Sequence, residues 1–177
     1  AGFVAGYKLF SHVRVRVNAW VHPWSDYQNT TYQIAQSLFA IGTGGWFGSG
    51  FYKGMPQITP IVGSDFIFSA IVEEMGALFG ICLLLIYISC LVMFFNISLR
   101  ITDTFYKLLA IGLSVGYGVQ VLLCIGGVVK FIPHTGVTLP LISYGGSSIL
   151  STILVFSVIQ GLYLLKQKEV QQLEEER

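Results

Sequence analysis

The sequence predicts an all-α polytopic membrane protein, and three observations support that class. Of the 177 residues, 54% are hydrophobic and only 11% are charged, whereas about 25% of the residues in soluble domains are charged. The mean hydropathy is +0.70. Three charge-free runs each contain the roughly 20 residues that a helix needs to cross a bilayer. The net charge of +1 argues against a basic nucleic-acid-binding domain, and the composition argues against a disordered chain or an ordinary cytosolic enzyme.

The first part of the chain is predicted to lie mostly outside the membrane. Residues 1–7 are apolar with no charged region before them, so we interpret them as the end of a truncated transmembrane helix. A processed mature N-terminus is the alternative. Residues 8–75 hold all three tryptophans and many of the charges, which predicts an extracytoplasmic loop with short amphipathic helices. One such helix is predicted at Thr30–Ile41, where an apolar stripe ends at Gly42.

The rest of the chain is predicted to cross the membrane three times. The charge-free run 131–165 is too long for one span and begins with prolines, so its first part is predicted as an extracytoplasmic or re-entrant loop. The predicted segments are transmembrane helices at 76–99, 108–129 and 143–165, a cytoplasmic loop at 100–107, the outer loop at 130–142 and a cytoplasmic tail at 166–177.

Basic residues near the span ends predict the orientation of the chain in the membrane. Short cytoplasmic loops and tails are enriched in Lys and Arg. Such residues occur in the 100–107 loop and in the tail, namely Arg100, Lys107, Lys166, Lys168 and Arg177. We therefore expect the C-terminus to be cytoplasmic and the 8–75 and 130–142 segments to be extracytoplasmic.

Glycine clusters predict close packing. The run Gly42–Gly50 lacks the Gly-Lys-Ser/Thr of a phosphate-binding loop. It favours a tight turn or a close helix contact, with a backbone lining for a sugar or pyrophosphate as the alternative. Two small-residue spacings, Gly76 with Gly80 and Gly112 with Gly116, predict helix contacts. The three cysteines lie in apolar runs without a nearby histidine, so no metal site is predicted from them.

Three acids lie where the last outer helix approaches the membrane. Asp65 is predicted at the start of that helix, where it either complements the helix dipole or acts as a general base in a partly dry pocket. On a single helix, Glu73 would lie roughly 80° around from Asp65, with Glu74 opposite. Both glutamates are expected to make structural hydrogen bonds. Lys130 either reaches the headgroups or pairs with phosphate, and His134 is expected to be structural rather than catalytic.

Several motifs in this order resemble one known family. The segment Leu139–Ser148, with Pro133 and Gly136 before it, resembles the C-terminal signature of the FtsW/RodA/SpoVE family, also called SEDS proteins. Ser64–Phe68 resembles the Thr-Asp-Phe-Ile-Phe block of that family. Further matching positions are Arg14, Arg16, Pro23, Trp24, Tyr32, Gln33, Ser37, 42–50, Glu73, Glu74 and Gly76.

The resemblance implies a ten-helix fold, of which this chain holds the last three transmembrane helices and the large extracytoplasmic loop before them, residues 8–75. It implies an inverting peptidoglycan glycosyltransferase that polymerises lipid II at the outer face of the bacterial membrane in elongation, division or sporulation. The implied partners are lipid II, undecaprenyl pyrophosphate, membrane lipids and a class B penicillin-binding protein. Because the family's cavity uses both halves of the fold, we expect this chain alone to be inactive. The alternatives are a lipid II flippase or a non-catalytic scaffold for a transpeptidase.

The resemblance also assigns roles to individual residues. Asp65 stands at the position of the family's essential acid and is the predicted catalytic base. The predicted substrate contacts are Lys53, Lys130, Gln33 and Ser143. The predicted supporting residues are Glu73, Glu74, Gly145, Gly146 and Pro140. A divalent cation, Mg²⁺ or Mn²⁺, is the alternative to basic side chains for balancing the charge of the leaving pyrophosphate.

Overall fold

A computed structural model describes residues 11–22, 30–51, 53–54 and 63–175. Over these ranges the chain forms helices and connecting turns without a β-strand, which confirms the all-α class. The helices are α1 Ser11–Val21, α2 Thr30–Gly44, α3 Ile67–Met75, α4 Ala77–Leu99, α5 Thr104–Val128 and α6 Gly146–Glu175. The predicted truncated helix at 1–7 lies outside the described residues.

Three of these helices are long and apolar enough to cross a membrane, as predicted. They are α4, α5 and the Gly146–Lys168 part of α6. Only 22%, 28% and 17% of the residues in their most apolar windows are buried within the protein. Large exposed apolar surfaces mark contact with a membrane or a partner, so most side chains on these helices are free to face lipid.

The helix ends differ from the predicted spans for local reasons. Helix α5 begins at Thr104, ahead of the predicted 108, because the Asp103 carboxylate accepts a hydrogen bond from the Phe105 N–H at 2.8 Å and caps the helix. Helix α6 begins at Gly146, after the predicted 143, and continues through the predicted tail to Glu175. Helix α2 passes the predicted stop at Gly42 and ends at Gly44.

The glycine run packs directly against α3, which supports a close helix contact over a sugar-binding lining. A Cβ placed on Gly44 would lie 2.1 Å from the Val72 carbonyl oxygen. The turn after α2 continues this contact, since the N–H groups of Ser49 and Gly50 donate to the carbonyls of Glu73 and Glu74 at 2.9 and 3.0 Å. The end of α2 therefore fixes the end of α3 through backbone contacts.

An aromatic cluster joins the three spanning helices. The Phe94 ring on α4 lies 5.3 Å from Tyr117 on α5 and 4.8 Å from Phe156 on α6, both in edge-on geometry. Edge-to-face aromatic pairs add about 0.5–1.5 kcal/mol beyond the burial of their area. The predicted packing glycines Gly112 and Gly116 lie apart from this contact, because a Cβ on either would meet nothing within 4 Å.

Candidate functional site

Asp65 lies in the turn before α3 rather than in the helix. Helix α3 begins at Ile67, its N-cap is Phe66, and no side chain caps it. The prediction that Asp65 starts the helix is therefore wrong, and the calculated 80° relation to Glu73 does not apply. Phe66 is 1% exposed, and its φ of −111° and ψ of 17° are not helical, so the helix begins only after it.

The Asp65 side chain faces the segment that joins α5 to α6. This segment, residues 129–145, includes the predicted outer loop at 130–142, and we use the name outer loop for all of it. Its Oδ2 lies 4.0 Å from His134 Nε2. The same oxygen lies 3.2 Å from the position of a Cβ placed on Gly136, whose φ of +73° favours glycine. The Asp65 side chain is 23% exposed. The carboxylate is therefore restrained by the loop on one side and open to solvent on another.

Two hydrogen bonds tie the Asp65 turn to the end of the outer loop. The Ser143 hydroxyl donates to the Ser64 carbonyl, and the Tyr144 N–H donates to the Gly63 carbonyl at 2.8 Å. The Ser143 oxygen also accepts from the Leu139 N–H at 2.8 Å. Ser143 is 1% exposed, so these contacts favour a positioning role for it over the predicted substrate contact.

Helix α1 holds the other half of the outer loop. The Arg16 guanidinium donates to the carbonyls of His134, at 3.4 Å, and Thr135. One turn further along the helix, the Trp20 indole N–H donates to the Lys130 carbonyl at 3.0 Å. Residues four apart share a helix face, so α1 presents both donors to the loop together.

Arg16 also contributes a positive charge beside Asp65. Its Nη2 lies 3.8 Å from the Gly136 Cβ position that Asp65 Oδ2 approaches at 3.2 Å. In the sequence, Arg16 belongs to a block that resembles the family, and no role at this site is predicted for it. The spacing of Arg16 and Trp20 was the available signal, because it predicts one polar face on a short helix.

His134 is the second residue of the site that the sequence did not predict there. The sequence predicts only a structural role for it. It is 7% exposed, and its ring stacks on Phe66 with centroids 4.4 Å apart. Burial lowers the pKa of His134 below its usual 6.5, the Asp65 carboxylate opposes that change, and Arg16 adds to it. The imidazole is therefore neutral at pH 7, directly beside the predicted base.

Most of the predicted supporting residues have structural contacts. The Glu73 side chain is buried, with Oε1 3.2 Å from the Cβ position of Gly54. The carbonyl of the buried Pro140 accepts from the Tyr87 hydroxyl on α4 at 2.7 Å. Gly145 lies close to Thr138, whereas a Cβ on Gly146 would meet nothing within 4 Å. Glu74 contributes the backbone bond to Gly50 described above.

Three predicted substrate contacts make no hydrogen bond or ion pair to Asp65 among the described residues. Lys53 is exposed, and its N–H donates to the Gly50 carbonyl at 3.1 Å. Gln33 is half-buried on α2. Lys130 is half-buried with φ 63°, and its backbone is bonded to Gly127 and to the Trp20 side chain. Within the described ranges, no hydrogen bond or ion pair connects these side chains to Asp65, so their role stays a prediction.

The described residues near Asp65 do not form a protein-built metal site. Among the described residues, no group of three or more His, Cys, Asp or Glu side chains is arranged to hold a metal ion. Divalent cations such as Mg²⁺ bind hard oxygen ligands, often one or two carboxylates together with substrate phosphates. The donor set of the described residues therefore does not fit a resident ion.

Most of the chain, including Asp65 and the outer loop, matches known proteins. Residues 3–167 match the FtsW/RodA/SpoVE family model, described as a cell cycle protein. The chain is 40% identical over 159 residues to the peptidoglycan glycosyltransferase RodA of Mycobacterium tuberculosis strain H37Rv, covering 90% of this chain. It is 36% identical over 168 residues to the stage V sporulation protein E of Bacillus subtilis strain 168, covering 90% of this chain.

A further relative carries a division-type name. The chain is 37% identical over 142 residues, or 79% of its length, to the probable peptidoglycan glycosyltransferase FtsW of Lactococcus lactis. The matched region spans 34% of the RodA protein, 44% of the sporulation protein and 34% of the FtsW protein. The chain thus spans well under two thirds of the length of these curated relatives.

Proposed function

Because the chain belongs to the FtsW/RodA/SpoVE family, we propose that it carries the catalytic outer region of a peptidoglycan glycosyltransferase. The proposed enzyme polymerises lipid II into glycan strands at the outer face of the bacterial membrane and releases undecaprenyl pyrophosphate. The observation that carries this proposal is the partly open Asp65 carboxylate, restrained beside His134.

The proposed orientation places Asp65 outside the cell. The turn that carries Asp65 leads through α3 into the start of α4, and the outer loop joins the end of α5 to the start of α6. These helix ends share one side of the membrane if each helix crosses it once. The opposite ends carry basic residues, namely Arg100, Lys107, Lys166 and Lys168. The tendency of short cytoplasmic segments to be basic supports an extracytoplasmic Asp65.

In the proposed reaction, Asp65 is the general base. Its carboxylate takes the proton of the acceptor GlcNAc 4-hydroxyl, and the hydroxyl oxygen forms a bond to C1 of the donor sugar. The bond between C1 and the undecaprenyl pyrophosphate oxygen breaks, with inversion at C1. A carboxylate that is 23% exposed is accessible to a sugar hydroxyl and keeps a restrained direction, which general-base catalysis requires.

The leaving pyrophosphate gains negative charge, which cationic groups stabilise. We propose Lys53 and Lys130 for this role, because Lys53 is exposed and Lys130 lies in the same loop as His134. Gln33 is proposed as a further contact of the sugar chain. By family membership we propose a class B penicillin-binding protein, which cross-links the strands, as the partner.

The decisive experiment compares two matched aspartate variants in the full-length gene product, purified with its transpeptidase partner. Labelled lipid II is the substrate, and glycan chain formation is the measurement. A positioned general base contributes about 10²–10⁴-fold to rate, so we expect Asp65→Asn to reduce polymerisation by at least about 10²-fold. Asp103→Asn is the control, because asparagine caps a helix as well as aspartate does and Asp103 caps α5.

Each competing function predicts a different result. Wild-type polymerisation by Asp65→Asn would overturn the proposal. A non-catalytic scaffold predicts that Asp65→Asn supports normal strand synthesis whenever the partner binds. A flippase predicts that the wild-type protein moves lipid II across liposome membranes without forming glycan chains.

A further inference from the structure

We propose that His134 is a positioning residue for Asp65, whose carboxylate it orients with an N–H on Nε2. The inference rests on the proposed role of Asp65 as the base and adds a residue to that site. Nε2 and Asp65 Oδ2 are 4.0 Å apart. Catalytic hydrogen bonds are often long in the absence of substrate and shorten when it binds, so a small movement of the carboxylate completes the contact.

The imidazole of His134 is packed from two directions, and its backbone carbonyl is anchored by a third contact. Phe66, the residue next to Asp65, stacks on the ring at 4.4 Å with an interplanar angle of 23°. Gly127 of α5 packs against the opposite edge, and a Cβ there would lie 3.1 Å from Nδ1. Arg16 binds the His134 carbonyl. A ring packed in this way can direct the Asp65 carboxylate, whereas the reverse would need the ring to move.

The surroundings of the two ring nitrogens assign the tautomer. Nδ1 is buried without a hydrogen-bond partner, while Nε2 faces a carboxylate. A buried donor without a partner costs about 1–3 kcal/mol, so a hydrogen on Nδ1 would be unfavourable. The neutral ring therefore carries its hydrogen on Nε2, where it faces the Asp65 carboxylate and can be accepted once the contact closes.

Protonation of the ring would change this arrangement. A second N–H would appear at the buried Nδ1, and a full positive charge would lie beside Asp65 and weaken it as a base. Among the residues that the structure describes, the other charged or titratable groups near the pair are Arg16 from α1 and Cys124 from α5. Arg16 opposes a second positive charge, so the neutral form of His134 is favoured.

Two variants separate positioning from simple support of the fold. His134→Gln keeps a side-chain N–H donor, whereas His134→Leu keeps the volume without a donor. In lipid II polymerisation we expect His134→Leu to lower kcat at least about 10-fold with little change in KM, as is typical of an interaction made in the transition state. We expect His134→Gln to restore most of kcat and to lose the acid-side inhibition that arises from ring protonation. Wild-type kcat in His134→Leu would overturn the inference while leaving Asp65 as the base.

A second measurement does not depend on activity. The protein is labelled with ¹³C at histidine Cε1 in detergent micelles, and the His134 signal is the one missing from His134→Gln. Since the Asp65 carboxylate raises the pKa of His134 and Arg16 lowers it, the two neighbours must shift the titration in opposite directions. We expect Asp65→Asn to move the titration to lower pH, because it removes the negative charge that favours the protonated ring. Arg16→Gln should move it higher.

The control for this measurement is Asp103→Asn, which removes a carboxylate at the opposite end of α5 and should leave the titration unchanged. A His134 titration that responds to neither Asp65→Asn nor Arg16→Gln would overturn the inference. If the titration responds as expected but Asp65→Asn polymerises lipid II normally, the proposed enzyme function fails and the residue pairing stands.

Discussion

The Ser143 hydroxyl donates a hydrogen bond to the Ser64 carbonyl across 79 positions of sequence. This bond joins the outer loop, close to the start of α6, to the turn that carries Asp65. The Tyr144 N–H adds a parallel bond to Gly63. The direction of the Asp65 carboxylate is therefore determined by a distant segment of the chain rather than by the helix that follows it.

Replacing Ser143 by alanine should detach the Asp65 turn from the outer loop. The change removes the bond to Ser64 and leaves the buried Leu139 N–H without its acceptor, which costs about 1–3 kcal/mol. We expect a lower free energy of unfolding in a detergent denaturation assay and slower lipid II polymerisation. Ser151→Ala is the control, because that exposed hydroxyl bonds only to carbonyls of its own helix. Equal effects of the two changes would contradict the positioning role of Ser143.

Gly136→Ala should disturb the site more than the fold. A φ of +73° disfavours an L-residue by about 1–2 kcal/mol, and the new Cβ would lie 3.2 Å from Asp65 Oδ2. We expect the carboxylate to be displaced and kcat for polymerisation to fall, while the circular dichroism of the helices stays the same. Gly161→Ala is the control, because a Cβ on that α6 residue meets nothing within 4 Å. Unchanged kcat in Gly136→Ala would mean that Asp65 tolerates displacement.

Two glycines of α2 give a matched test of the close contact with α3. Gly44→Ala would place a Cβ 2.1 Å from the Val72 carbonyl oxygen, whereas a Cβ on Gly42 meets nothing within 4 Å. Alanine favours a helix over glycine by about 1 kcal/mol at an interior position, so Gly42→Ala should be neutral or stabilising. We expect Gly44→Ala to lower the unfolding midpoint in a thermal scan by several degrees. Similar midpoints for the two variants would argue against this contact.

Features that depend on neighbours in sequence were predictable, and those that depend on distant residues were not. Charge-free runs predicted the spans that became α4, α5 and α6, and the apolar stripe predicted α2, because periodicity and length are local properties. The surroundings of Asp65 are different in kind. Arg16 lies 118 positions from His134, whose carbonyl it binds, and no local pattern reports such a pairing. Treating Asp65 as helical failed because the backbone at the following residue, Phe66, is not helical.

The low pKa of His134 predicts how stability depends on pH. Burial lowers the pKa of the folded state below the usual 6.5, so the unfolded state binds a proton more readily as the pH falls. The stabilisation by neutral His134 is fully present above about pH 6.5 and is lost as the pH falls through the lower folded-state pKa. We expect the unfolding midpoint to decrease between about pH 7 and pH 5, and to decrease less in His134→Gln, which has no titrating ring. Equal decreases in both proteins would place the titrating group elsewhere, because all other acids and bases are common to the two.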